Sequence, residues 1–317
     1  MTAPKRILND GLAAILSAAI LFNSISFPAK AEVFTEEIPT TVILTVSEEP
    51  YVDSFFNGKI AAGLYHSCIL QDNGTVVSMG NNAKGRLETG HWRNIVALSA
   101  YDHTLGLKAD GTVVAAGSSD AGACNVSGWY DIIDISAGLD VSAGLKSDGT
   151  VVIAGTTKHG ETQALQWRDI VDVCCTAKAI FGLKSDGTVL MAGKNDNALV
   201  KCTAWTDIVA ITGGAYHVVG IKSDGTIVGA GDNGEQQCNF TGWRDIVAVS
   251  AGTNHTVALR SDGTVMATGD KLFGRCDVAE WSNIVGVSAG YCHTLGVMAD
   301  GAVVSVGSNA HEQRFQK

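Results

Sequence analysis

The sequence predicts an all-β chain: a seven-bladed β-propeller with about 38 residues and four antiparallel strands per blade. Three observations carry this expectation. An Asp-Gly or Asn-Gly turn recurs, and its glycines, Gly74, Gly111, Gly149, Gly187, Gly225, Gly263 and Gly301, are spaced 37 residues once and 38 five times. Tryptophans keep the same beat at Trp92, Trp129, Trp167, Trp205, Trp243 and Trp281. All four prolines, Pro4, Pro28, Pro39 and Pro50, precede residue 51. A fixed period over most of a chain marks stacked supersecondary units. The missing prolines suit paired strands, because proline removes a ladder donor.

One unit shows the elements in order. Residues 243–280 read WRDIVAVSAGTNHTVALRSDGTVMATGDKLFGRCDVAE. Ile246–Ala251 is apolar and β-branched, and Gly252-Thr253-Asn254 breaks it. His255–Arg260 alternates again, and Ser261-Asp262-Gly263 turns the chain. Residues 264–268 form a third short strand ended by Gly269, and a weaker fourth is expected near 275–278. Short alternating runs between turn residues read as one blade of antiparallel sheet. Asp-Gly between such runs predicts a two-residue type I′ hairpin turn. One carboxylate per turn is too few for calcium, which takes six to eight oxygens.

The units number seven, from near Ser54 to Lys317. Near the place of a first tryptophan stand Ser54, Phe55 and Phe56. Terminal units no more polar than the others predict a closed ring, since an open array needs polar caps.

Residues 1–31 differ from the rest. Lys5 and Arg6 precede an apolar run over 12–22, and Ala29-Lys30-Ala31 follows, the layout of a secretory signal peptide. The expected organisation is a signal peptide over 1–31, a linker or leader over 32–53 and the propeller over 54–317. The expected location is secreted, extracellular or on the cell envelope, with no membrane span left after cleavage. Cleavage would remove three cations and one anion, taking the net charge from −10 to −12. Such a surface repels a phosphate backbone, which argues against nucleic acid. Eight cysteines include Cys124, Cys238 and Cys276 at one repeat position, and are expected to be mostly free thiols.

His66, His103, His217, His255 and His293 share one position; Val141 and Ala179 take it in the other two units. One blade spacing exceeds what metal ligation at about 2 Å allows, so each is expected to start a strand and bond nearby backbone. No metal, no cofactor and no catalytic motif is expected, although Asp102 and Asp140 on neighbouring units offer a carboxylate pair at the channel.

Residues 281–307, WSNIVGVSAGYCHTLGVMADGAVVSVG, closely resemble the regulator of chromosome condensation repeat. The resemblance covers 54–317 and implies a seven-bladed propeller. The founding members are guanine-nucleotide exchange factors with longer repeats and an inserted wedge, for which spacings of 37 and 38 leave no room. Secreted bacterial β-lactamase inhibitor propellers resemble the chain more closely in length, compact repeat and export. They bind target enzymes through loops on one face.

Naming the strands A to D outward, the Asp-Gly turns and tryptophans mark a face nearly constant from unit to unit. The A–B and C–D loops vary. There the sequence places Tyr65, Tyr101, Asp102, Asp140, Lys178, Tyr216, Asn254, Phe273, Arg275 and Tyr291 as candidate partner-binding residues. Tyrosine is large, rigid and polar at its tip, which suits protein interfaces. The expected function is a non-enzymatic, monomeric, protein-binding propeller, an inhibitor of an extracellular or cell-wall enzyme being one form of it. The alternatives are a carbohydrate-binding module and an exchange-factor-like regulator.

Overall fold

The computed structural model describes residues 59–118 and 120–315. The expected signal peptide, the linker and the first residues of the propeller lie outside them.

Seven separate three-stranded antiparallel sheets follow one another along the chain. Blade 1 is β1 (Ile60–Ala62), β2 (His66–Leu70) and β3 (Val76–Gly80). Blade 2 is β4 (Ile95–Ala100), β5 (Thr104–Lys108) and β6 (Val113–Ala116); blade 3 is β7 (Ile132–Ala137), β8 (Val141–Lys146) and β9 (Val151–Gly155). Blade 4 is β10 (Ile170–Cys175), β11 (Ala179–Lys184) and β12 (Val189–Gly193); blade 5 is β13 (Ile208–Gly213), β14 (His217–Lys222) and β15 (Ile227–Gly231). Blade 6 is β16 (Ile246–Ala251), β17 (His255–Arg260) and β18 (Val265–Gly269); blade 7 is β19 (Ile284–Ala289), β20 (His293–Met298) and β21 (Val303–Gly307). No helix among the described residues is long and apolar enough to cross a membrane.

Among the described residues the expected fourth strand is absent. After strand C the chain forms turns, and 275–278 is one of them: Asp277 N–H donates to Gly274 O and Val278 N–H to Cys276 O. The reason is local. Asn82, Asn195, Asn233 and Asn309 each accept, on the side-chain oxygen, the N–H five residues onward. A side chain that satisfies backbone donors this way competes with a strand ladder.

The Asp-Gly turn also differs from expectation. Gly111 N–H donates to Lys108 O and Lys108 N–H to Thr112 O, so three residues, not two, form the loop. Only the glycine has positive φ, +77° at Gly111. This is the type I turn with a glycine bulge, the next most common hairpin solution. Asp110 Oδ1 accepts both the backbone N–H and the hydroxyl of Thr112. Asp148, Asp186, Asp224 and Asp262 repeat the arrangement with their threonines. The turn carboxylates are thereby used inside the turn.

The constant face is sewn by backbone. Each turn glycine carbonyl from Gly74 to Gly263 accepts the N–H of the isoleucine opening the next blade, at 3.0–3.2 Å. The Asn or Asp just before that isoleucine stands in the left-handed region, φ 57–62°. The tryptophans fill the seams. Trp92 packs against Cys68, Leu70 and Val76 of blade 1 and Ile95 and Leu98 of blade 2. A glycine in strand B makes room for the ring: a Cβ on Gly106 would stand 2.8 Å from Trp92.

Histidines seal the other side of five seams. Their rings bond the next blade's hydroxyl, not nearby backbone as expected. His66 Nε2 lies 2.8 Å from Thr104 Oγ1, His103 Nε2 2.6 Å from Ser142 Oγ, His217 Nε2 2.9 Å from Thr256 Oγ1 and His255 Nε2 2.9 Å from Thr294 Oγ1. His293 Nε2 lies 2.8 Å from Ser67 Oγ, which closes the ring between blades 7 and 1. Each hydroxyl donates its own proton to a carbonyl, as Thr294 does to Arg275 O, so Nε2–H is the donor to it. Where the next blade carries Ile180 or Val218 instead of a hydroxyl, the histidine is replaced by Val141 or Ala179. Buried polar side chains are mostly retained where a partner can meet them.

Candidate protein-binding face

The variable face is built from the A–B loops and the segments that follow each strand C. Backbone bonds join the A–B loops into a belt: Ala177 N–H donates to Ala215 O, Ala215 N–H to Gly252 O, Thr253 N–H to Gly290 O, Tyr291 N–H to Gly63 O and Leu64 N–H to Tyr101 O. The belt fixes the Cα positions of the loop tips, so side chains there stand on a rigid rim.

Across blades 6, 7 and 1 these tips form an aromatic ridge. Phe273 is 66% exposed and its neighbour Leu272 62%. Tyr291 is 37% exposed, and Tyr65 meets it edge-on at 5.3 Å between ring centres. His311 meets Tyr65 at 5.1 Å. Burial, then the neighbouring Tyr291, raises the Tyr65 phenol above its ordinary value. Phe273 has φ 61°, and sits third in a turn closed by Gly274 N–H to Lys271 O. A bulky residue there pays about 1–2 kcal/mol over glycine. Lys84, before Gly85 in the corresponding turn of blade 1, has the same kind of backbone, φ 69°, so the turn recurs while the exposed aromatic is particular to blade 6.

Arg275 differs from expectation. It is 3% exposed and works beneath the ridge. Its Nε donates to Leu272 O, Nη1 donates to Tyr291 O at 2.8 Å and Nη2 pairs with Asp270 at 3.3 Å. It is therefore a positioning residue, tying the Phe273 turn of blade 6 to the Tyr291 loop of blade 7. Asp102 is likewise engaged, 3.0 Å from Arg86 and 3.3 Å from Lys84.

The remaining candidates divide. Tyr101 lines the channel with Tyr291 and is half-buried; burial first, then Tyr216, Asp102 and Tyr291, raises its phenol. Tyr216 is 40% exposed. Asp140 is exposed, Asn254 is half-buried, and Lys178 stands 4.0 Å from Asp196. Neither Leu272 nor His311 stood out in the sequence. Leu272 was detectable as a second apolar residue in the polar loop that holds Phe273.

The central channel is narrow, about 140 Å³, and lined mostly by small residues such as Ser99, Ser136, Ser250 and Ser288. Asp102 and Asp140 do not form its carboxylate pair, because Asp102 is held by Arg86. A different pair, Asp134 and Asp172, forms between neighbouring inner strands away from the channel lining. Burial raises Asp172 to about 6, and burial together with the Asp172 charge raises Asp134 well above the carboxylate range. Asp172 Oδ2 accepts Ile211 N–H from blade 5 at 2.9 Å. Asp134 Oδ1 accepts Ile135 N–H at 2.8 Å. The two side chains hydrogen-bond each other, and Asp172 ties the inner strand of blade 4 to that of blade 5. Among the described residues no group of three or more His, Cys, Asp or Glu side chains converges as a metal site. All eight cysteines are free, and Cys124, Cys238 and Cys276 direct Sγ to carbonyls of Ser118, Asp232 and Asp270.

The family profile described as "Regulator of chromosome condensation (RCC1) repeat" matches residues 59–86, 208–237, 246–275 and 284–313. The chain carries RCC1 repeats. Solved structures agree on the fold. The CRINKLY WD40 ectodomain of the Arabidopsis thaliana receptor kinase ACR4 is 18% identical, covering 82% of this chain and 98% of that one, with a TM-score of 0.66. Prp20p from Saccharomyces cerevisiae, described with its binding properties to Gsp1p and histones, is 18% identical over 73% of this chain and 80% of its own, with a TM-score of 0.57. Yeast RCC1 (Prp20) in the structure of Kap60 bound to it is 15% identical over 89% and 87%, with a TM-score of 0.60. No curated protein matches the chain in sequence.

Proposed function

We propose that this propeller is an exported, non-enzymatic protein-binding module that engages its partner with the ridge formed by Phe273, Leu272, Tyr291 and Tyr65. One observation carries the reading: Phe273 is held outward, 66% exposed, in a backbone conformation that glycine would adopt at lower cost. The Prp20 structures support it by analogy, since that propeller binds protein partners. An extracellular or cell-wall enzyme inhibited by this face is the specific form we favour, on the leader-like sequence of residues 1–31.

The test separates binding from folding. Phe273→Gly relieves the strained turn, so its thermal midpoint is expected to equal or exceed that of the native chain. Phe273→Gly combined with Tyr291→Ala is expected to lose at least tenfold in affinity for a partner captured from culture supernatant or envelope extract, as truncation of a central aromatic anchor costs about 2 kcal/mol or more. Equal capture by native and variant chains would remove the ridge from the interface. Ridge-dependent binding on a glycan array, with no protein captured, would replace the protein partner with a carbohydrate.

A further inference from the structure

The one spacing of 37 arises in the A–B loop of blade 2. Between Ala100 and His103 that loop has only Tyr101 and Asp102, where blade 6 has Gly252, Thr253 and Asn254 between Ala251 and His255. The missing residue is the one that joins loops. In blades 1, 4, 5, 6 and 7 the middle loop residue, Leu64, Ala177, Ala215, Thr253 or Tyr291, donates its N–H to the loop of the next blade. Blade 2 has no such residue, and among the described residues no backbone bond runs from its loop to that of blade 3. The belt is open at this joint.

The blade 3 loop is loose on its other flank as well. Thr176 takes the place of the loop glycine in blade 4, and its hydroxyl accepts Ala179 N–H at 3.1 Å and donates to Ala179 O at 3.3 Å, closing that loop on itself. Among the described residues no backbone bond joins it to the blade 3 loop. Support from below is missing too. Gly63, Gly214, Gly252 and Gly290 rest on the histidine of their own blade, where a Cβ would stand 2.3–2.7 Å from Cε1. Blade 3 carries Val141 instead. Its loop is held by its own blade alone: Gly138 N–H donates to Val141 O and Thr156 N–H to Asp140 O, each at 2.8 Å. Between these anchors stand Leu139, half-buried, and Asp140, exposed.

We propose that the tip Gly138–Asp140 is the adaptable contact of the variable face. Its inner peptide planes turn between two fixed anchors, so Leu139 and Asp140 re-aim while the rest of the rim holds still. Segments with few bonds to their neighbours open at the lowest free energy. Blade 3 lies across the channel from the ridge of blades 6, 7 and 1. A partner that spans the mouth therefore meets one fixed side and one yielding side. The role in binding rests on the ridge as the partner's site; the motion does not.

Relaxation dispersion of the amide nitrogens in the full-length chain tests the motion. Microsecond-to-millisecond exchange is expected at Leu139 and Asp140 and not at Thr253 and Asn254, their counterparts in blade 6. Amide hydrogen exchange at Leu139 is expected to be at least about tenfold faster than at Thr253. Flat profiles at Leu139 and Asp140, or equal behaviour in the two blades, would overturn the proposal. A glycine inserted between Ala100 and Tyr101 restores the missing residue and gives blade 2 the pattern of Gly290-Tyr291-Cys292-His293. Tyr101 N–H then reaches Gly138 O as Tyr291 N–H reaches Gly63 O, and the dispersion at Leu139 is expected to disappear. Dispersion that persists in this variant, once it folds, would exclude the open joint as the cause; should it not fold, the native profiles decide. Binding of the protein retained by the native chain is expected to quench the dispersion at Leu139 and Asp140 and to protect Tyr291. Protection of Tyr291 alone would remove the loop from the interface and leave the ridge in place, and quenching at Leu139 alone would do the reverse.

Discussion

Between pH 6.5 and pH 4 the propeller is expected to lose most of its stability. Burial, the largest cause in each case, lowers His66 to about 3, His103, His217 and His293 to about 4, and His255 well below its ordinary value. Once unfolded, the same rings titrate near 6.5. The unfolded chain therefore binds more protons across this window, and stability rises with pH. The contribution is complete above pH 6.5 and disappears as the pH falls through the folded values. Each histidine contributes up to about 1.4 kcal/mol per pH unit. Asp134 and Asp172 act in the opposite sense, because their raised values make the folded state the better proton binder between about 4 and 6. Five histidines outweigh two carboxyls, which leaves a net slope on the order of 4 kcal/mol per pH unit at its steepest. Against a typical 5–15 kcal/mol of domain stability, unfolding is expected near pH 4–5.5. Urea midpoints followed by circular dichroism at pH 7.5, 6 and 5 would show it. A midpoint constant from pH 7.5 to 5 would mean that the rings are protonated in the fold.

The second large effect is steric. Gly155 ends β9 opposite Val141 with φ +108°, beyond the left-handed basin that asparagine tolerates. A Cβ there would run into the Asp140 carbonyl and stand 2.9 Å from Val141 Cα, both backbone groups that cannot step aside. Strain and overpacking together should cost Gly155→Ala about 3 kcal/mol or more, a fall of roughly 6–12 °C in midpoint. Gly128→Ala, where nothing lies within 4 Å of the new Cβ, should be close to neutral. Similar midpoints for the two variants would show that the loop of blade 3 relaxes freely.

Much of this fold was legible because its signals are local. Period, tryptophan, turn glycine and β-branched runs each speak for a few residues, and the seven units repeat the message. The fourth strand was misjudged because a side-chain amide, such as Asn233 capping Cys238 N–H, satisfies the backbone as well as a ladder does. The turn type was misjudged because Asp-Gly serves both two- and three-residue loops, and the pairing of Lys108 with Thr112 decides between them. The candidate face was legible by position but not by depth. Arg275 and Phe273 are two residues apart in one loop, yet one is buried and the other exposed. Only the Tyr291 carbonyl from the next blade, 2.8 Å from Nη1, explains why. The Asp134–Asp172 pair escaped for the same reason: its members are 38 residues apart, and only the inner strands bring them together.

The histidine seams have a bearing on how seven near-copies find their order. Every blade offers one chemistry on its leading edge and requires one on its trailing edge. Blades 5, 6, 7, 1 and 2 present an imidazole donor, and blades 6, 7, 1, 2 and 3 receive it. The blade 3–4 and 4–5 seams are greasy on both sides, through Val141 with Ile180 and Ala179 with Val218. A ring that skipped blade 4 would set Val141 against Val218 and survive, but one that skipped blade 3 would strand His103 against Ile180. One that exchanged units between two chains out of phase would strand donors in the same way. The alternation of wet and dry joints thus acts as an address code written into the interfaces, penalising wrong neighbours among units whose backbones are almost interchangeable.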